Sequence, residues 1–385
     1  MTIYQERVQQ VRTFMRERLA VQGFIISRAD VYQSEYVVDA DERLSWLTGF
    51  TGSAGFAVIL ENKAALFVDG RYTLQASQEV DPNLFDVFHY PEVNPKSFLQ
   101  TNLHQGDKLT YDQWLMAKVD YDRWHKIAQE LNIHLCPVSE NPVDILWYDR
   151  PSRPLNPIQL YPEHLAGQST QDKLATIQAL LQQQNIDTFI CNAPESICWL
   201  FNIRGSDFPF SPLVDAFAII HQKGKSELFI DSRKIPTDFI KPLSSFVTFR
   251  EYGVFSEAIR QLTKKHILLD GHRAPMAVTQ LIPESANIHW GNDPCTLLKA
   301  IKNPVEISGM SHAHVKDGVA VTKFLAWLKQ ALINEETIDE LGIVTQLEIF
   351  RKEQEGYQGP SFSTIAGFGA NGAVIHYRPT DKTNK

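Results

Sequence analysis

The sequence predicts an α/β protein built from two copies of one domain, followed by a segment of different character. Three observations predict it. The stretch WLTGFTGSAGFAVILENKAALFVDGR, from Trp46 to Arg71, returns from Trp199 to Arg233 as WLFNIRGSDFPFSPLVDAFAIIHQKGKSELFIDSR. Helix and strand patterns alternate in the same order around both copies. Beyond residue 300 this alternation gives way to one long helical pattern. The expected division is residues 1–157, 158–300 and 301–385.

The two copies align closely. Trp46–Leu47 matches Trp199–Leu200, Phe56–Ile59 matches Phe217–Ile220, and Leu66–Asp69 matches Leu228–Asp231. An arginine follows each aspartate after one intervening residue, and the second copy carries an insertion between its Gly and Phe positions. Within the first copy, Phe56 to Leu60 and Ala64 to Val68 are nearly continuous apolar runs separated by Glu61, Asn62 and Lys63. That pattern predicts a hairpin inside a sheet covered on both faces. Gly49, Gly52 and Gly55 give the preceding loop the freedom to pack against the strand start.

In chain order, Val8, Val11, Phe14, Met15 and Leu19 fall on one face of an opening helix over Glu6–Leu19. A strand follows at Gly23–Ile26. After the hairpin come a helix (Leu74–Val80), a strand (Phe85–Tyr90), a helix (Asn94–Leu103), a strand (Lys108–Asp112) and a helix (Tyr121–Leu131), and His134–Val138 closes the first domain. Residues 141–162 hold five prolines and read as a crossing segment. The order then restarts with a helix over Ser169–Gln184, a strand over Thr188–Cys191 and the second hairpin. A helix over Ser256–Leu262 and a strand over Ile267–Leu269 follow. LLKAIKNP marks the next boundary. Asn303, Pro304 and Glu306 combine a capping side chain, proline at the first helical position and an acid at the third. They open a helix running to about Leu332, with Ile307, Met310, His314, Val321, Phe324, Leu325 and Leu328 as its stripe. A second helix is expected over Glu340–Glu353 and a strand over Ser361–Tyr377.

Composition excludes several classes. The formal charge is −8 and no basic run stands out, which argues against nucleic acid. No window approaches eighteen consecutive apolar residues and the N-terminus is charged and amphipathic, so a soluble cytoplasmic protein is expected. Cys136, Cys191, Cys198 and Cys295 are scattered without a two-residue gap; buried reduced thiols are expected.

SEYVVDADERLSWLTGFTGSAGFAVI, VDGRYTLQAS, SICWLFNIRGSD, KAIKNPVEISGMSHAHVKDGVA and GANGAVIHY, in this order, resemble the long, three-domain form of Xaa-Pro aminopeptidase (aminopeptidase P) over essentially the whole chain. The resemblance implies two creatinase-type α/β domains ahead of a pita-bread (α+β) catalytic domain, of which the opening helices and strand are present. It implies removal of an N-terminal residue when proline is second, short peptides as substrates, and a dinuclear, usually manganese, centre that activates water. Homodimerisation through the catalytic domain is also common in the family. Its metal ligands are two Asp, one His and two Glu, and none of them is matched here. A two-metal site needs carboxylates converging from several strands so that the ions lie roughly 3.5–4 Å apart. Glu306, Asp317, Asp339, Glu340 and Asp381 offer no such array. The expectation is therefore an N-terminal fragment without metal ligands, inactive alone.

Two residues carry over by resemblance. His376, in VIHY, matches a histidine lining the substrate pocket, where a neutral imidazole donates a hydrogen bond to the peptide or the developing oxyanion. Without the family it reads as a satisfied structural histidine on a strand. Arg71, in DGRY, matches an arginine that reaches the peptide from the first domain. An ion pair with a neighbouring domain explains Arg71 equally well, and the duplicate Arg233 favours such pairing for at least one of the two. His312 and His314, two apart on a helix, face different directions and cannot share a metal. Ser53 and Ser363 lack the GxSxG setting of a nucleophile, and Trp46 and Trp199 read as core anchors. The competing reading is a non-catalytic pita-bread relative that binds peptides or proteins. An amidinohydrolase, with one N-terminal domain, fits the duplication less well.

Overall fold

The computed structural model describes residues 2–138, 140–237 and 239–385. The chain forms two compact units, one running up to Tyr161 and resuming over Gln168–Ile301, the other made of Pro162–Gly167 and Lys302–Lys385.

The first unit contains two six-stranded sheets. One is built from β1 (Gly23–Ser27), β2 (Phe56–Leu60), β3 (Ala64–Val68), β4 (Asp86–His89), β5 (Lys108–Asp112) and β6 (His134–Val138), in the order β4-β3-β2-β1-β5-β6. A short pair, β7 (Gln159–Leu160) and β9 (Ile203–Arg204), stands apart. The second sheet takes β8 (Thr188–Cys191), β10 (Phe217–His221), β11 (Ser226–Ile230), β12 (Val247–Glu251), β13 (His266–Leu269) and β14 (Asn287–Trp290), in the order β12-β11-β10-β8-β13-β14. Both sheets put an antiparallel hairpin strand between parallel neighbours. Thus β2 pairs antiparallel with β1 and β3 while β1 pairs parallel with β5. In the second sheet β10 pairs antiparallel with β8 and β11, and β8 pairs parallel with β13. The duplication read from Trp46 and Trp199 therefore extends to topology.

Each sheet is buried on both faces, which is why its hairpin strands read as continuous apolar runs rather than alternating ones. Phe24, Ile26, Ala57 and Ile59 pack on one side with Val8, Val11 and Met15 of the opening helix; Ile25, Val58, Leu60 and Phe67 pack on the other with Trp124 and Ile127. That helix, Ile3–Phe14, begins with a Thr2–Gln5 capping box and continues into a single wider turn, Met15–Leu19. Gly49 closes the helix Arg43–Thr48 at φ 81°, where a side chain is strained. A Cβ at Gly52 would stand 2.2 Å from the Phe50 ring.

The crossing segment contributes more than a connection. Arg153 donates from Nε to Asp215 at 2.8 Å and from Nη1 to Asp41 at 2.9 Å. Asp41 is also held by Arg43 and Arg150, and Asp215 by the Tyr32 hydroxyl. Lys234 reaches Asp207 at 3.0 Å and Asp215 at 3.9 Å. Asp207 and Asp215 both lie in the insertion that lengthens the second copy. The extra residues thus supply Asp215, which joins the two domains through Arg153, and Asp207, which holds Lys234 within the second. Burial works against the Arg153 cation, yet Asp215 and Asp41 hold its pKa well above the ordinary guanidinium value.

Asp30, just beyond β1, is fully buried. Its Oδ1 accepts from the Tyr32 and Ser34 amides, both at 2.9 Å, while Oδ2 has no partner. Burial, with Asp41 adding repulsion, raises its pKa to about 6 against the pull of those amides. The unfolded carboxyl titrates near 3.9. Stability from this group is therefore present below about pH 4 and lost as pH rises to 6. Asp30→Asn keeps the acceptor and removes the unpaired charge, so a gain of up to about 3 kcal/mol is expected at pH 8, shrinking toward pH 4. Urea unfolding at pH 5 and pH 8 checks this; an equal effect at both would contradict it.

In the second unit the capping box is present: Asn303 accepts from the Val305 and Glu306 amides, and Glu306 accepts from the Asn303 amide. It opens a helix over Pro304–Ile333, followed by Glu340–Lys352. The stripe of the long helix is largely uncovered: Ile307, Met310 and Leu325 are each more than half exposed. The strand expected over Ser361–Tyr377 is not formed, and only a 3₁₀ turn at Gly369–Ala373 interrupts an irregular path. Buried Glu340 gives the reason. It accepts from the Phe368 amide at 2.6 Å, the Tyr377 hydroxyl at 2.7 Å and the Lys385 amide at 3.2 Å, drawing the segment round one carboxylate.

Candidate functional site

Arg71 follows the end of β3, where the sheet projects its strand ends. Its fork grips Asp69, Nε to Oδ1 at 2.9 Å and Nη2 to Oδ2 at 2.7 Å, and its guanidinium lies over the Tyr72 ring. The hydrogen bond to Asp69 raises its pKa above the ordinary value. The second copy repeats the device: Arg233 grips Asp231 at 2.9 and 2.6 Å. Arg233 holds the Asp231 carboxyl down at about 2. Each guanidinium thus bonds the aspartate two residues earlier, not a group in a neighbouring domain as the ion-pair reading expected. The turn's own geometry explains this, since Asp69 Oδ1 also caps the Arg71 amide at 2.9 Å. Arg71 remains 43% exposed, so the fork is reachable from solvent.

Asp69 also lines a cavity of about 420 Å³ at the carboxyl ends of β1, β3 and β4, together with Arg28, Phe56, Phe67, Tyr90 and Trp124. Phe56 stacks on Phe67 at 4.9 Å and meets Tyr90 and Trp124 edge-on. Open α/β sheets place ligands at the carboxyl ends of their strands. This wall was not foreseen, although Phe56 heads an apolar run that is otherwise wholly buried.

His376 lies in a turn, exposed, beside buried Tyr377, rather than on a strand. Three carboxylates of the second unit have partners of their own: Asp317 binds Arg351 at 2.7 Å, Asp339 the Gly342 amide at 2.7 Å and Glu340 the Phe368 amide at 2.6 Å. Among the described residues no three His, Cys, Asp or Glu side chains converge as a metal ion requires. The groups present therefore do not fit a dinuclear centre by themselves. His312 and His314 are exposed, and His314 Nδ1 faces the Met310 carbonyl at 2.8 Å. Ser53 Oγ is 2.5 Å from the Tyr72 hydroxyl.

Both duplicated tryptophans are anchored by a cation from a helix of their own domain. Arg7 lies 4.4 Å over the Trp46 ring and donates to its carbonyl at 2.6 Å. Buried Lys173 lies 4.6 Å from the Trp199 ring and donates to its carbonyl at 2.9 Å. Cys191, Cys198 and Cys295 are buried free thiols, and Cys136 is half-buried. No helix among the described residues is long and apolar enough to cross a membrane.

Comparison with known proteins agrees with this architecture. The Creatinase/Prolidase N-terminal domain matches residues 7–145 and again 149–306, and the metallopeptidase family M24 matches residues 308–385. Probable Xaa-Pro aminopeptidase P of Neosartorya fischeri is 33% identical over 393 residues, covering 98% of this chain and 60% of that protein. Its counterpart in Laccaria bicolor is 34% identical over 382 residues, covering 97% and 59%. X-prolyl aminopeptidase from Caenorhabditis elegans, described as a cytosolic enzyme with a di-nuclear active site, superposes with a TM-score of 0.93 at 25% identity, over 100% of this chain and 65% of that one.

The fold and domain order define a class, in which two creatinase/prolidase-type N-terminal domains precede an M24 metallopeptidase domain. Within that class the chain is homologous along almost its entire length to Xaa-Pro aminopeptidase P proteins. It spans about three-fifths of the length of these curated relatives.

Proposed function

We propose that, at the full length of its relatives, this protein is a cytoplasmic Xaa-Pro aminopeptidase that removes the N-terminal residue from short peptides with proline in second position. Manganese is the proposed cofactor, as a pair of ions whose chemistry is activation of water. These 385 residues are proposed to be inactive alone. The observation carrying the reading is that both duplicated domains and the start of the M24 domain align in order with aminopeptidase P relatives. A homodimer is proposed for the longer protein.

Proline preference has a physical basis. A prolyl imide lacks the N–H that general aminopeptidases use as a donor, and a pocket shaped for the ring gains contact instead. In this reading Arg71 exchanges part of its grip on Asp69 for a distal acceptor on the peptide, and His376 donates to the peptide near the scissile bond. The exposure of the Arg71 fork supports the first role. Arg71→Ala in the longer enzyme is then expected to raise KM several-fold more for longer peptides than for dipeptides. His376→Ala should lower kcat by about 10²-fold. Steady-state kinetics on a dipeptide and a pentapeptide series distinguish the two roles; equal KM effects at all lengths, or an unchanged kcat, would count against them.

A further inference from the structure

We propose that His266 and His289 form a two-histidine site for a divalent metal ion of the zinc, copper or nickel class. β14 is the edge strand of the second sheet and pairs parallel with β13, His266 opposite Asn287 and Leu268 opposite His289. Residues two apart share a face of a strand, so His289 stands one diagonal step from His266 on that face. Both side chains are exposed. His266 Nδ1 is 3.1 Å from His289 Nε2, with the rings inclined at 39° and their centroids 5.3 Å apart.

This spacing suits chelation. Two imidazole nitrogens each about 2.0–2.1 Å from one ion, at an angle of roughly 90–110°, lie about 2.9–3.4 Å apart. The observed separation falls within that interval. Rotation about the two Cβ–Cγ bonds turns the lone pairs from facing each other to converging on one point outside the sheet edge. As the pair stands, the two nitrogens face each other at hydrogen-bond distance, and a bound ion takes the place of that contact. Asp187, across the β8 side of β13, spends Oδ2 on the His266 amide at 2.8 Å. No third protein donor converges among the described residues, so water completes the coordination and the site stays open. Imidazole ligands favour zinc, copper and nickel, whereas manganese favours oxygen. The ion would clasp the sheet's outermost strand to its neighbour.

Isothermal titration of the 385-residue chain at neutral pH with zinc, copper and manganese chlorides tests the site. One zinc or copper ion per chain is expected, with manganese showing no binding there. His266→Ala and His289→Ala should each weaken zinc binding at least about tenfold, while His312→Ala leaves it unchanged. Copper spectra should carry coupling to two nitrogens in the parent chain and to one in either variant. Both histidines are exposed, so the variants should keep the parent circular dichroism. Absence of zinc binding, or an isotherm unchanged by both alanine variants, would overturn the proposal.

Discussion

Arg153→Ala should lower the stability of the duplicated unit by about 3 kcal/mol, the lower end of the range for breaking a buried ion pair. The reasoning rests on what remains. Asp41 and Asp215 are 2% and 5% exposed at their side chains, and removing the cation between them leaves two buried carboxylates short of a partner. Arg43, Arg150 and Lys234 soften the loss. Water also reaches a third of the Arg153 side chain, which argues against a larger figure. The double variant Arg153→Ala with Asp215→Ala should lose less than the sum of the single variants, because the stranded charge goes with the arginine. Urea unfolding followed by tryptophan fluorescence measures both. A loss below about 1 kcal/mol for Arg153→Ala would show that the domains do not depend on this lock.

How much of this was legible depends on how local the determinants are. β5 and β8 match the sequence reading to the residue, because short runs bounded by polar residues determine them. β12, with the sequence VTFRE, and β14, with NIHW, were passed over. They are the outer strands of their sheet and largely exposed, so no continuous apolar run marks them. The strand expected over Ser361–Tyr377 followed from its apolar, glycine-spaced sequence, whereas buried Glu340 collects the donors of that segment. Strand-end Arg71 was visible, and so was Asp69 two residues before it. The Asp41–Arg153–Asp215 lock was not, since its members are scattered from residue 41 to residue 215 and meet only after both sheets have formed. One signal was available: Arg150 and Arg153 are the sole cations in the proline-rich crossing segment.

The largest expected effect is all-or-none. A chain extended to the length of the curated relatives should release the first residue of an Xaa-Pro-Pro peptide in the presence of manganese, while these 385 residues alone should not. The commitments of the second unit's carboxylates motivate this expectation. Asp317, Asp339 and Glu340 already serve an ion pair, a helix cap and a loop clamp, so recruiting them to metal would dismantle the second unit's own contacts. Proline dependence separates a peptidase of this family from a general aminopeptidase, and absence of hydrolysis with retained peptide binding would mark a non-catalytic relative. The decisive measurement is therefore N-terminal residue release from Xaa-Pro-Pro beside Xaa-Ala-Ala, with added manganese, by both chains. Proline-dependent release by the longer chain alone is the predicted result. Release by the 385 residues, or no proline-dependent release by the longer chain, would contradict the account.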